Sequence, residues 1–149
     1  MKTLFRKLLF VFVCVFSIQT LSADNDRPIQ VNQLPQEAQA LIQQHFANLK
    51  VALAKQESGI IEKTYDVIFT DGTKIEFDRN GRWTEISCQP NAVVPAALVP
   101  TQVTEYINKN YSQTQVRKIE RERKRCEVEL TNKVELTFDQ QYRIIDVDL

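Results

Sequence analysis

Two stretches of this chain repeat one another. An internal repeat restricts a fold more than any single motif, because each unit must bury its apolar face against its twin. Leu34-Pro35, followed by Ala38, Leu41-Ile42 and Phe46, returns at an offset of 65 as Val99-Pro100, Val103, Tyr106-Ile107 and Tyr111. Tyr65-Asp66-Val67-Ile68-Phe69-Thr70-Asp71 returns at an offset of 61 as Cys126-Glu127-Val128-Glu129-Leu130-Thr131-Asn132. Ile75-Glu76-Phe77-Asp78 then returns as Leu136-Thr137-Phe138-Asp139 without a gap.

Within each unit the hydrophobic period changes once. Ala38, Leu41, Ile42, His45, Phe46 and Leu49 follow helical spacing behind Pro35 and Glu37, and Val103, Tyr106, Ile107 and Tyr111 form the matching stripe behind Pro100. The period then falls to two. Tyr65, Val67 and Phe69 lead to the turn Asp71-Gly72; Ile75 and Phe77 lead to the turn Asn80-Gly81; Arg82 to Cys88 makes the next strand. In the second unit Cys126, Val128 and Leu130 are followed by Val134, Leu136 and Phe138, and then by a last strand from Tyr142 to Leu149. A further strand is expected ahead of each trio, over 50–57 and 115–122. The four-residue change of offset falls near Ser58-Gly59, as a hairpin loop of different length requires. Each unit alone, about 55–60 residues, is too small for a secure core. The expected fold is therefore α+β: two tandem helix-plus-antiparallel-meander repeats in one continuous sheet of about eight strands, with both helices on one face.

The start of the chain reads as a signal peptide over residues 1–23. Lys2, Arg6 and Lys7 precede a short apolar run from Leu8 to Phe16, and Ala23 supplies the small residue for cleavage. Cys14 is an ordinary apolar member of that run. The run is far shorter than the ~20 residues a spanning helix needs, so no stable membrane anchor is expected. Localisation to the periplasm, or secretion, follows. Beyond it the expected organisation is a polar, flexible lead-in over 24–33, repeat 1 over 34–89, a linker over 90–98, and repeat 2 over 99–149.

Removing Lys2, Arg6 and Lys7 from 19 basic and 19 acidic side chains leaves a net charge of −3, which argues against a nucleic-acid partner. Two cysteines remain, Cys88 and Cys126. In an oxidising compartment such a pair admits a disulfide. The inward strand position of Cys126 equally suits a buried thiol.

The tandem pattern of Leu-Pro and amphipathic helix, then the Tyr65-x-Val67-x-Phe69 strand and the Phe77-Asp78-Arg79-Asn80-Gly81 hairpin, resembles the PepSY-like, β-lactamase-inhibitor-like periplasmic proteins. The resemblance covers residues ~30–149. It implies helix-plus-sheet units in tandem, export, and a role in binding or inhibiting other proteins. Gln140-Gln141-Tyr142 lacks the glycine of the motif, and Cys126 stands where the motif has tyrosine, so the second hairpin's turn type is open.

No catalytic residue, metal site or cofactor is expected. His45 is the only histidine, on the edge of a helical stripe, and three glycines leave no room for a phosphate loop. Asp78-Arg79-Asn80-Gly81 resembles a fragment of a calcium loop but lacks the bidentate acid at the required distance, so it reads as a hairpin turn. Binding fits better. Strand alternation puts Asp66, Ile68, Lys74, Glu76, Asp78, Trp83 and Glu85 on the face away from the helices, with Glu127, Glu129, Glu135, Thr137, Ile144 and Asp146 in the second unit. Trp83 is the expected anchor for a protein or peptide partner, with Asp66, Glu76, Asp78 and Glu85 for charge matching. Arg117, Lys118, Arg121, Arg123, Lys124 and Arg125 form the only dense basic cluster. It suits an anionic partner, or cross-strand pairing that neutralises neighbouring acids. The expected function is a non-enzymatic exported binding module acting through the open sheet face, in a narrower form an inhibitor of an exported hydrolase such as a protease or β-lactamase. The alternative is a passive envelope protein without a specific ligand.

Overall fold

The computed structural model describes residues 26–59 and 62–149. The expected signal peptide lies outside them. Among the described residues two helices, α1 (Gln36–His45) and α2 (Thr101–Asn110), are accompanied by nine strands. These are β1 (Asp26–Ile29), β2 (Val51–Ser58), β3 (Lys63–Phe69), β4 (Lys74–Phe77) and β5 (Trp83–Ser87), then β6 (Val116–Arg121), β7 (Arg125–Leu130), β8 (Glu135–Asp139) and β9 (Ile144–Asp148). They form one antiparallel sheet in sequence order, so each strand pairs with its neighbour in the chain.

One row of partners crosses the sheet from Val67 through Ile75, Ile86, Ile119 and Val128 to Leu136, and every member is buried. This row fixes the helix-covered face. Phe46, which caps α1, stacks on Phe69 at 5.5 Å between ring centroids, and Tyr106 of α2 meets Phe138 edge-on at 5.6 Å. Phe69 and Phe138 lie on the same face as the row, so both helices cover one side, and their buried residues join the strands in a single core. The units meet where β5 pairs with β6, Ile86 opposite Ile119. That seam lets two marginal cores become one.

The ninth strand corrects the expected lead-in. Asp26 to Ile29 pairs with β2 from Glu57 to Ala54, and Val31–Gln33 forms a 3-10 turn. Pro28 is tolerated because β1 is an edge strand, where a missing N–H costs no ladder bond. β1 stands beside β2 as β5 stands beside β6, so it supplies the neighbour that the first unit would otherwise lack. The expected linker also contains structure. Ala96–Leu98 forms a second 3-10 turn, and the Val94 amide donates to the Val116 carbonyl at 2.9 Å.

The repeat extends to irregularities that composition does not reveal. Bulges insert Ala52 into β2 and Arg117 into β6, one repeat apart, and Thr84 into β5 and Ile145 into β9, again one repeat apart. The hairpin turns match as well. Gly72 and Gly81 have φ of 86° and 88°, and their counterparts Lys133 and Tyr142 hold 71° and 56° without being glycine. Asp78 accepts from the amides of Asn80 and Arg82 at 2.8 and 3.0 Å, and Asp139 accepts from those of Gln141 and Arg143 at 2.9 Å each. The second hairpin thus keeps the turn of the first despite losing its glycine.

Candidate functional site

The bulge at Thr84 decides where Trp83 points. Plain alternation from Ile86 puts Trp83 outward, but Glu76 faces Glu85 while Phe77 faces Trp83, so one residue of β5 is skipped. Trp83 turns to the helix face and is only 7% exposed. The expected exposed anchor is therefore a core residue. The bulge at Ile145 does the same to Ile144, which packs against the core, and leaves Ile145 60% exposed.

The open face is a lattice of cross-strand ion pairs. Asp66, 3% exposed, accepts from Lys74 at 3.0 Å and lies 3.4 Å from Lys55. Lys55 also donates to Asp26 at 2.7 Å and to Glu57 at 2.5 Å; these hydrogen bonds, the one to Asp26 first, raise its pKa above the ordinary lysine value. Lys74 pairs with Glu76 at 2.6 Å. Across the seam Lys118 lies 3.2 Å from Glu85 and 3.5 Å from Glu120, while burial pushes the Glu85 carboxyl up against that attraction. Asp66, Glu76 and Glu85 share one face, as their sequence alternation predicts, and Lys118 from the basic cluster joins them there. Asp78 does not join them; its carboxylate is engaged by turn amides.

The basic cluster is dispersed by its strand and hairpin. Arg117 pairs with Glu129 and donates to the Cys88 carbonyl at 3.1 Å. Arg125 bonds Glu122 at 2.8 Å and Glu127 at 3.1 Å. Arg123 and Lys124 sit exposed at the hairpin between β6 and β7, without an acidic partner among the described residues. Arg121 turns to the helix face. Its guanidinium carbon lies 3.4 Å from the Trp83 ring centroid, and one terminal nitrogen donates to the Trp83 carbonyl at 2.6 Å. Burial lowers its pKa from the ordinary arginine value.

Cys88 and Cys126 are buried free thiols. Of the two alternatives the sequence left open, the disulfide fails on geometry: Cys88 lies beside Arg117 at one end of β6, and Cys126 pairs with Arg121 at the other end. Burial pushes the Cys126 thiol up to about 11 and raises that of Cys88.

What remains on the open face is acid. Glu129, Glu135 and Asp148 form one row across the last three strands, with Thr137 and Asp146 beside it. Glu129 has Arg117; Glu135, Asp146 and Asp148 are exposed and have no cation within ion-pair distance among the described residues. Like charges opposite one another oppose folding rather than aid it. Strand β9 beside them is a sheet edge. Sequence alternation already places Glu129 and Asp146 on this face; the unneutralised row needs the register.

A single antiparallel meander under two helices, built from two copies of one unit, defines a tandem helix-on-sheet class. The chain belongs to the PepSY-like family: the family model described as "Putative beta-lactamase-inhibitor-like, PepSY-like" matches residues 63–146. Solved structures agree. A Bacteroides thetaiotaomicron protein described as a "putative calcium-regulated periplasmic protein" is 50% identical, with a TM-score of 0.82, over 85% of this chain and 99% of that one. A Bacteroides vulgatus protein, described as a "putative periplasmic protein from DUF2874 family", gives the same identity, coverage and score. A second from that organism, a "putative periplasmic protein of unknown function", is 36% identical with a TM-score of 0.78, over 83% of this chain and 99% of that one. A search of curated proteins found no match.

Proposed function

We propose that this chain is an exported, non-enzymatic binding module whose open sheet face engages a protein or peptide partner. The observation that supports this reading is the row of exposed acids on β8 and β9, Glu135, Asp146 and Asp148, which have no cation within ion-pair distance among the described residues and lie beside a sheet edge. Elsewhere on that face acids and bases neutralise each other, so the charge that could recognise a partner is concentrated here. The complementary partner is an extended segment with basic residues on alternate positions. The seam sets the precedent, since Lys118 of β6 meets Glu85 of β5 in the same manner. Export rests on the leader, with cleavage near Ala23, and on the periplasmic description of the structural neighbours.

The family's description favours a narrower version, inhibition of an exported hydrolase, in which the segment bound belongs to the enzyme. The calcium named for one relative finds no fit in these residues. The hairpin carboxylates Asp71, Asp78 and Asp139 are engaged by turn amides, and no group of three or more potential ligands converges among the described residues.

A pull-down from periplasmic extract tests the reading. The wild type should recover a partner in a salt-sensitive manner, and Glu135→Lys/Asp146→Lys/Asp148→Lys should lose it. Equal recovery by both proteins contradicts the open-face reading, and no partner at all favours a passive envelope protein. For the inhibitor version, titration against periplasmic proteases and β-lactamases should give saturable loss of activity.

A further inference from the structure

Three positions at which the two repeats differ converge on one place, away from the open face. Gln56 and Tyr65 form a pair on the helix face of unit one, and their counterparts are Arg121 and Cys126, paired in the same register. Trp83 stands where the second unit has Ile144. The shorter cysteine removes an aromatic ring beside the guanidinium, and Trp83 supplies the surface on which it stacks.

Among the described residues Arg121 is the arginine that is at once partly buried and without a carboxylate partner; Arg27, Arg79 and Arg123 lack one too but are exposed. Arg82, Arg117, Arg125 and Arg143 each lie within ion-pair distance of a carboxylate. Arg121 has no such partner among the described residues, and its hydrogen bond there is the one to the Trp83 carbonyl. That bond and the stacking fix the guanidinium plane while leaving the other nitrogens of the fork unused. A partly desolvated cation with fixed donors and no counterion attracts an anion more strongly than an exposed one, because less water must be displaced on binding.

Arg121 lines a groove of about 360 Å³ between α1 and the seam. Ala40, Leu41 and Trp83 give it apolar lining; Glu37, His45 and Arg82 give it polar lining, and Arg82 lies 3.9 Å from the Asp78 carboxylate. We infer that this groove binds a carboxylate carried beside an apolar group, the carboxylate on Arg121 and the apolar group against Leu41 and Trp83. The inference stands apart from the open-face reading, since the groove lies on the opposite side of the sheet. A planar carboxylate matches the guanidinium fork. With the Arg82 charge offset by Asp78, Glu37 disfavours a second negative charge beside Arg121, which selects a monoanion over a phosphate dianion. A peptide C-terminus and a free carboxylic acid share this chemistry.

Trp83 is the only tryptophan, so its emission reports the groove directly. The mature chain is titrated with acetyl-alanyl-leucine, with its C-terminal amide, with 4-methylpentanoate and with inorganic phosphate. Both carboxylic acids should give a saturable change that the amide and phosphate do not. Tighter binding of the dipeptide than of 4-methylpentanoate, by about tenfold or more, identifies a peptide C-terminus as the source, and equal binding identifies a small acid. Arg121→Gln installs the residue that unit one tolerates at this position and should weaken binding by about tenfold or more. Glu37→Gln, which leaves Arg121 in place, should tighten it severalfold. No saturation with either acid, an amide or phosphate that binds as well as the acids, or Arg121→Gln that is folded and binds like wild type overturns the inference. So does Glu37→Gln with unchanged or weaker binding.

Discussion

Asp66 shows how a single side chain ties the open face together. It is nearly inaccessible to solvent, and two lysines from flanking strands hold its carboxylate. Asp66→Ala leaves Lys74 with Glu76 and Lys55 with Asp26 and Glu57, so the loss is limited to the bonds at the buried carboxylate. Chemical denaturation should show destabilisation of roughly 1–3 kcal/mol, not collapse. Lys55 makes a pH prediction. Its folded pKa lies above the free value of 10.5, so its stabilising effect is complete below that value. The effect drains away as pH climbs from 10.5 toward the folded pKa, because the unfolded chain loses the proton first. The stability gap between wild type and Lys55→Met should therefore be flat from neutral pH to about 10 and shrink above 10.5. The thiols give a third expectation. Both are buried and their ionisation is suppressed, so alkylation followed by mass spectrometry should modify Cys88 and Cys126 only after denaturation. Modification of either in the native protein would contradict their burial. At this scale the sequence was least legible for Trp83 and Arg121. Period-two alternation assigns faces correctly only until a bulge intervenes, and Thr84 carries no residue-type signal for one.

Elements were legible where periodicity or turn chemistry specified them. Both helices, the eight expected strands and the Gly72 and Gly81 turns follow from patterns read directly off the chain. β1 was not legible, because Asp26-Arg27-Pro28-Ile29 is polar, short and without alternation; its stability comes from backbone pairing with β2. The paired turns permit a comparison within one molecule. At Gly81 a Cβ would come within 2.7 Å of the Pro35 Cβ and 2.9 Å of the Ala38 amide nitrogen, and φ is positive. Gly81→Ala should therefore cost roughly 1–3 kcal/mol and loosen the start of α1 against the hairpin. Lys133 holds the conformation of Gly72 at a cost of roughly 1–2 kcal/mol. Part of what Lys133→Gly relieves returns as unfolded-chain entropy, ~0.5–1 kcal/mol. The net expectation is a gain of about 0.5–1 kcal/mol in a thermal or urea unfolding curve.

Taken whole, the molecule has a shared frame and unshared surfaces. Inward positions, bulges and turns recur in both units and build one core beneath two helices. What differs is the acid left exposed on β8 and β9, and the Trp83–Arg121 groove at the seam. The frame could be read from one sequence because a repeat supplies its own comparison. The candidate site could be read only in part: charge signs and faces were visible, but which acids lack cations depends on cross-strand register set by bulges. The central claim is that the open face over the last strands recognises a basic extended segment. It is tested most directly by two-dimensional NMR of the isotopically labelled mature chain, titrated with a short synthetic peptide alternating lysine and valine. Saturable shifts should concentrate at Glu135 and along β9 and be abolished by Glu135→Lys/Asp146→Lys/Asp148→Lys. Shifts centred on α1 or α2, or none at all, would contradict the claim.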